Sequence, residues 1–423
     1  MNRQPTRFFQ FAAVAAGALI VSAGILFAGP LTPPAGPVAP TNKTLQEVEP
    51  RIAINSVNTP GDANAAFVLS QSGSYYFAGN LTGQSAKHGI KLNAANITID
   101  LNGFSLTGGV GSLNAFTAGG SISTNVTVRN GVVRFWGNGG VHLVDQVGSR
   151  SIVQNIHATS NGWDGINVGG DSIVENCIAE GNGQNGFRVA SGSLVRGCIA
   201  KFNMQAGFRL GTSSRITDCV ANNNTLQGID ASTNCVLSGI TAFSNTGAGI
   251  DIDAGSVLTA SASYLNTGNG ITASTGCMVR DCSATSNTGN GIFVGNGSRV
   301  EACVSRSNGS SGITAASGCS IINNTCTSNA TSVVNGAGIL VTGGDNRIEG
   351  NNCVTQDIGI DVSAGGNIII RNTCAGNATN WTIAANNYYG PIINRVGAAT
   401  AAFTGNSAVS TLNSTDANAN FSY

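Results

Sequence analysis

The sequence predicts an all-β solenoid of stacked 21-residue coils, and three observations predict it. A Gly followed by a large apolar residue recurs at 165, 186, 207, 228, 249, 270, 291 and 312, always 21 apart. Asn stands four positions before each of these glycines, from Asn161 to Asn308, and recurs once more at Asn329. Within each unit the apolar positions fall mostly two apart, the period of a strand and not of a helix.

The elements follow in chain order. Arg3 and Arg7 precede an apolar run from Phe8 to Ala28. A charged start, an apolar middle and small residues at the end make 1–28 an export signal, with cleavage suited after Ala23 or Ala28. The run is also long enough for an uncleaved membrane anchor. Residues 29–51 are rich in Pro and form an extended linker. Residues 52–85 carry Phe67, Tyr75, Tyr76 and Phe77, suited to a cap over the exposed strand edge of a solenoid. The coils occupy 86–379, and 380–423, with Trp381, Tyr388, Tyr389, Phe403, Phe421 and Tyr423, form the second cap.

One coil shows how the unit works. Ile166, Val168, Ser172, Val174, Cys177 and Ala179 form its inward set, and the same residue classes return one unit later. Gly and Asn, both turn residues, fall where the alternation breaks. Three short strands and three turns make one triangular coil. Such a coil cannot bury its apolar face alone, so each strand lies beside its copy in the next coil, about 4.8 Å away. The product is a parallel β-helix. A leucine-rich repeat is excluded because Leu is scarce in these columns.

Cys177, Cys198, Cys219, Cys282 and Cys303 share one inward column, and Cys235, Cys277 and Cys319 another. No Cys-x-x-Cys occurs and His is scarce, so these cysteines are expected as buried free thiols that fill space. The Asn column is expected to supply left-handed turn geometry and a ladder of stacked amides.

Composition narrows the function. The 423 residues carry 20 basic and 20 acidic side chains, and only 9% are charged. With no basic excess, nucleic acid is excluded as a partner. The Val and Ile content is too high for wholesale disorder.

Further segments carry a resemblance. Asn96–Thr107 and Asn125–Arg134 alternate, the latter leading to Gly140–Leu143, and Asn346–Cys353 and Asn367–Cys374 lie 21 apart. Over roughly 60–400 the chain resembles the right-handed, single-stranded parallel β-helix repeat proteins of bacteria, in the broad pectate-lyase-like superfamily. The resemblance implies the fold but no single activity, since that superfamily holds lyases, hydrolases, epimerases and adhesins. It also implies that the outward face of one sheet carries the substrate groove.

The residue two after each Gly lies between two buried ones and points outward. Along the stack these residues are Asn167, Arg188, Arg209, Asp230, Asp251, Thr272, Phe293 and Thr314, with Asp253 beside Asp251. Arg188 and Arg209 suit the carboxylates of uronate sugars. Asp230, Asp251 and Asp253 suit hydroxyl contacts, calcium, or acid and base chemistry. A charge-complementary ladder on a solvated face is the plain alternative. His88, His142 and His157 read as surface residues, and Trp136, Trp163 and Asp164 as a sugar platform or a shield over the coil edge.

No polygalacturonase motif is present: Lys87-His88-Gly89 lacks the first Gly of Gly-His-Gly, and Arg347-Ile348-Glu349 lacks the Lys of Arg-Ile-Lys. The Asp-Pro-x-Asp of alginate-type epimerases is also missing. Three readings stay open. The first is an exported protein that binds a polysaccharide or cell-surface glycan without a cofactor. The second is a lyase or glycosidase acting on acidic glycans. The third is a structural or adhesive surface rod.

Overall fold

The computed structural model describes residues 49–120, 124–144, 149–330, 336–394 and 415–423. The export signal or anchor at 1–28, nearly all of the linker at 29–51, and Phe403 lie outside the described residues. From Arg51 to Tyr423 the chain is one unit. It is a parallel β-helix, and the described residues contain strands and turns but no helix.

A typical coil holds strands Ile166–Val168, Ile173–Glu175 and Ile178–Glu180. Each pairs in parallel with its copy one coil on: Ile166 with Phe187, Val174 with Val195, Ala179 with Ala200. The first strands of successive coils form a sheet of 15 strands. The second and third strands form two further runs. These merge into one sheet at the long strands Val126–Arg134 and Ile152–Thr159, the latter pairing with both runs. The predicted inward set is buried throughout, and like packs on like, as in the stacked rings of Phe187 and Phe208, 4.7 Å apart.

The corners differ from expectation. None of the nine Asn residues takes left-handed geometry; the residue in front of the inward corner position does. In one coil these are Asp171, Asn176 and Gly181, with φ of 55°, 54° and 62°. Each reverses the chain so that the next side chain, Ser172, Cys177 or Asn182, points into the core.

Those inward side chains answer a problem the corners create. A buried corner N–H needs an acceptor. The amide of Cys177 donates to Cys198 Sγ at 3.4 Å, that of Ser172 to Ser193 Oγ at 3.2 Å, and that of Asn182 to Asn203 Oδ1 at 3.0 Å. The Asn column adds a second bond per step, Nδ2 to the next Oδ1, unbroken from Asn161 to Asn329. Towards the C-terminus the other two corners also switch to Asn, at Asn324–Asn351–Asn372 and Asn346–Asn367.

The cysteines therefore fill space and also accept corner hydrogen bonds. All eleven are buried and free, with Cys326, Cys353 and Cys374 forming a third stack on the 179 column. Burial pushes the thiols of Cys353, Cys235, Cys277 and Cys319 above the ordinary value, and the contact with Cys353, together with burial, does the same to Cys326. A thiolate-directed reagent is expected to leave the native protein untouched and to count eleven thiols after unfolding without reductant. Eight or more blocked cysteines would contradict this packing role.

The terminal segments supply strands. Ile52 pairs with Tyr75, Phe67 with Ile90 and Leu81 with Leu106, so 52–85 already runs in the coil ladders. Near the other end, Asn420 accepts from Asn372 Nδ2 at 3.2 Å and ends that amide ladder.

Candidate ligand-binding face

The outward face of the 15-stranded sheet follows from its three-residue strands. In Phe187–Val189 the outer two side chains are buried and Arg188 between them is exposed. Stacking in register turns this middle position into a continuous row. It runs Lys91, Thr117, His142, Asn167, Arg188, Arg209, Asp230, Asp251, Thr272, Phe293 and Thr314.

Four of the five predicted site residues are thus successive members of one row, one coil apart, and Asp253 lies exposed two residues beyond Asp251. Arg188 and Arg209 line a groove of about 370 Å³ with His142, Asn167 and Ser232. The aspartates continue the row past this groove. Arg209 Nε reaches Asp230 Oδ2 only at 3.6 Å, beyond a good hydrogen bond. Arg188 has no carboxylate within ion-pair distance among the described residues.

Asn167 and Thr314, expected outward and open, are buried. A row one residue before the glycines accounts for both. Asp164 Oδ2 accepts from Asn167 Nδ2 at 3.1 Å, while its Oδ1 accepts from the Asn185 amide at 3.0 Å and side chain at 2.9 Å. Asn290 Oδ1 likewise accepts from Thr314 Oγ1 at 3.0 Å. Asp164 is therefore a brace that fixes one wall of the groove. Trp136 is fully buried, its indole donating to Leu106 O at 3.1 Å, so it makes no sugar platform. Trp163 is exposed.

The histidines separate. His157 lies on the other sheet, 3.3 Å from Glu180. His142 belongs to the groove, a role hidden in the sequence because its coil is longer than 21 residues. Only the pairing of Val141 with Ile166 reveals it. Burial holds His142 below the usual histidine range; Asp164 opposes the shift and Arg188 adds to it. Burial raises Asp230, which Arg209 opposes and Asp253 reinforces. Burial also raises Asp251, with Asp230 and Asp253 adding repulsion and a hydrogen bond from Gln227 offsetting part of it.

Among the described residues no three of His, Cys, Asp and Glu converge closely enough to hold a metal ion. Asp230 and Asp251 follow one another in the row, and Asp253 lies two residues beyond Asp251. The arrangement offers two guanidinium groups in the groove and, past it along the row, Asp230 and Asp251, whose carboxyls burial holds above the ordinary value.

No family model matches the chain, and no curated protein matches it. Solved structures do. The A-module of mannuronan C-5 epimerase AlgE4 from Azotobacter vinelandii is 14% identical, over 75% of this chain and 90% of that one, with a TM-score of 0.40. The catalytic domain of a GH87 alpha-1,3-glucanase is 17% identical over 71% and 62%, with a TM-score of 0.42. Pectate lyase Pel9A is 16% identical over 66% and 71%, with a TM-score of 0.38.

Proposed function

We propose that this chain is an exported polysaccharide-binding β-helix protein that holds an acidic glycan along Arg188, Arg209, Asp230, Asp251 and Asp253. The observation that carries the reading is the pair of adjacent arginines in the groove. Arg188 has no carboxylate partner among the described residues, and Arg209 holds its own loosely. Planar guanidinium groups bind carboxylates in paired hydrogen bonds. One coil advances about 4.8 Å, so two such groups meet successive units of a chain laid along the axis. The aspartates contact hydroxyl groups. Export rests on the charged and apolar N-terminal run, and it sets the glycan outside the cytoplasm, in the periplasm, at the cell surface or beyond it.

Binding of an oligouronate to the full chain tests this. Charge-assisted hydrogen bonds contribute about 1.5–3 kcal/mol. Arg188→Ala with Arg209→Ala is therefore expected to weaken binding at least 100-fold, while thermal stability barely changes.

The pH dependence has a definite sign. Asp230 and Asp251 sit above the ordinary carboxylate value. As pH falls through that raised range they become neutral before the uronates do, and repulsion of the ligand is relieved. His142, held below its usual value, gains charge only at lower pH. Affinity is expected to rise from neutral into mild acid. For folding, the raised aspartates contribute stability that is present below their unfolded value and lost as pH rises through the folded one. Undiminished binding by the double arginine variant would overturn the site. New unsaturated or reducing ends that vanish with Asp251→Ala would make the protein an enzyme. Neither binding nor cleavage across uronate and neutral glycans would favour the surface rod.

A further inference from the structure

A second row of side chains runs beside the charged face, on the turn that leads into it. Phe135, Phe202 and Leu265 occupy the same corner position, each pair three coils apart, and each is more than half exposed. All three hold left-handed backbone, with φ of 59°, 58° and 57°. On intervening coils this position is Ser160, Gly181, Asn223 or Ser244, small or polar residues that suit the corner. A bulky apolar residue there is disfavoured twice, by its backbone and by its exposure to water.

A neighbouring position repeats the pattern. Backbone hydrogen bonds align Trp163, Gln184, Gln205 and Leu226 in a line, again with apolar residues three coils apart. Met204 lies between the two lines and is the most exposed of the set, at 64%. Within the chain, Phe135 carries the Arg134 guanidinium over its ring at 5.7 Å. Exposed apolar residues at a regular spacing, three of them on left-handed backbone, point to a contact outside the chain.

We propose that Phe135, Trp163, Phe202, Met204, Leu226 and Leu265 form a stacking platform for the apolar faces of pyranose rings, a second glycan contact parallel to the charged row. The inference deepens the reading of a polysaccharide-binding face and rests on it for the class of ligand. The chemistry of the ridge selects the occupant. Apolar groups alternate with the amides of Gln184 and Gln205 and with small hydroxyl residues, matching a sugar's apolar ring face and hydroxyl rim. A protein interface gathers such residues into a closely packed, fully desolvated centre, whereas here Gln184 and Gln205 stand between Trp163 and Leu226. An anionic lipid surface calls for a cluster of free cations; beside this ridge Lys201 is paired with Glu180 at 3.2 Å, and Arg134 lies over the Phe135 ring at 5.7 Å and donates to Thr107 Oγ1. The ridge also borders the groove, because Trp163 directly precedes Asp164, the brace that fixes Asn167.

The test uses the full chain and substitutions drawn from neighbouring coils. Trp163→Gln and Phe202→Gly install what the next or preceding coil already holds at those positions, so the melting temperature is expected to hold or rise. The probes are oligomers of β-1,4-linked glucose, which are neutral, and an oligouronate, followed by tryptophan fluorescence and calorimetry. The neutral oligomer is expected to bind wild type without salt dependence. The paired variant should lose about tenfold or more in affinity, the scale of one aromatic contact of about 1.4 kcal/mol. Arg188→Ala with Arg209→Ala should leave neutral-sugar binding unchanged while abolishing salt-sensitive uronate binding. Uronate binding that survives the two arginine substitutions, with neutral-sugar binding still lost in Trp163→Gln with Phe202→Gly, would sink the charged site and leave the ridge standing. Neutral-sugar binding that is absent, or unaffected by Trp163→Gln and Phe202→Gly, would overturn the ridge. So would binding to phosphatidylcholine–phosphatidylglycerol vesicles, or self-association, that the same two substitutions abolish in place of sugar binding.

Discussion

Asn245→Ala is expected to destabilise the coil stack by roughly 3–6 kcal/mol, although it removes only one small polar side chain. The effect comes from what is stranded. Asn245 Oδ1 accepts from the Asn224 amide at 3.0 Å and from Asn224 Nδ2 at 2.9 Å. Its own Nδ2 donates to Ala221 O at 3.1 Å and to Asn266 Oδ1 at 3.0 Å. Truncation leaves two buried donors of Asn224 without that acceptor and takes a donor from two buried oxygens. Each unsatisfied group costs about 1–3 kcal/mol, and Asn245 is only 1% exposed. Asn245→Asp does not rescue the site. It restores an acceptor but buries a charge and lacks the amide donor. The urea midpoint measures the effect, and Asn269→Ala on the outward face is the control, where water replaces the lost bonds. A loss below 1 kcal/mol for Asn245→Ala would mean that the amide ladder is incidental to stability.

The same ladder explains which parts of the molecule were legible in the sequence. A parallel stack places each inward residue on its own copy, so the packing requirement repeats with the coil and prints a 21-residue period. The buried columns and the row from Arg188 to Asp251 follow directly from that period. The left-handed corners do not. They need a backbone conformation that Gly181, Asn223 and Ser244 meet with three different residues and that Phe202 and Leu265 hold against preference, so no single residue type marks the corner.

The early coils were obscured for a different reason. Ile52 pairs with Tyr75, Tyr75 with Ile99 and Ile99 with Val128, in steps that are unequal and longer than the later repeat. A segment with aromatic residues and no fixed period reads as a cap, although its backbone already runs in the ladders. His142 was lost to the groove by the same irregularity. The burial of Asn167 was lost because it depends on a side-chain bond to Asp164, which no spacing rule reports.

Gly228→Ala is expected to cost about 3 kcal/mol, at the upper end for an overpacked core, from the addition of one methyl group. The backbone of Gly228 is not left-handed, so conformational freedom is not what selects Gly here. Room selects it. A Cβ would lie 2.6 Å from Gly249 O, 2.7 Å from Asn245 Nδ2 and 3.2 Å from the Ala221 methyl. The first of these is backbone of the next coil, which cannot swing aside like the end of a long side chain. Relief requires the two coils to part or shift, and that motion stretches the bonds of the Asn ladder alongside. The same approach recurs at Gly207, whose Cβ would meet Gly228 O at 2.6 Å, and at Gly270, whose Cβ would meet Gly291 O at 2.7 Å. Close backbone contact and amide ladder therefore constrain the coil spacing together. Gly228 lies two residues before Asp230, so the shift is delivered to the outward row. Gly228→Ala should lower both the urea midpoint and the affinity for an oligouronate, whereas the arginine substitutions should lower affinity alone. A Gly228→Ala protein with an unaltered midpoint would show that the coils slide freely, and the one-coil pitch of Arg188, Arg209, Asp230 and Asp251 would then have no structural guarantee.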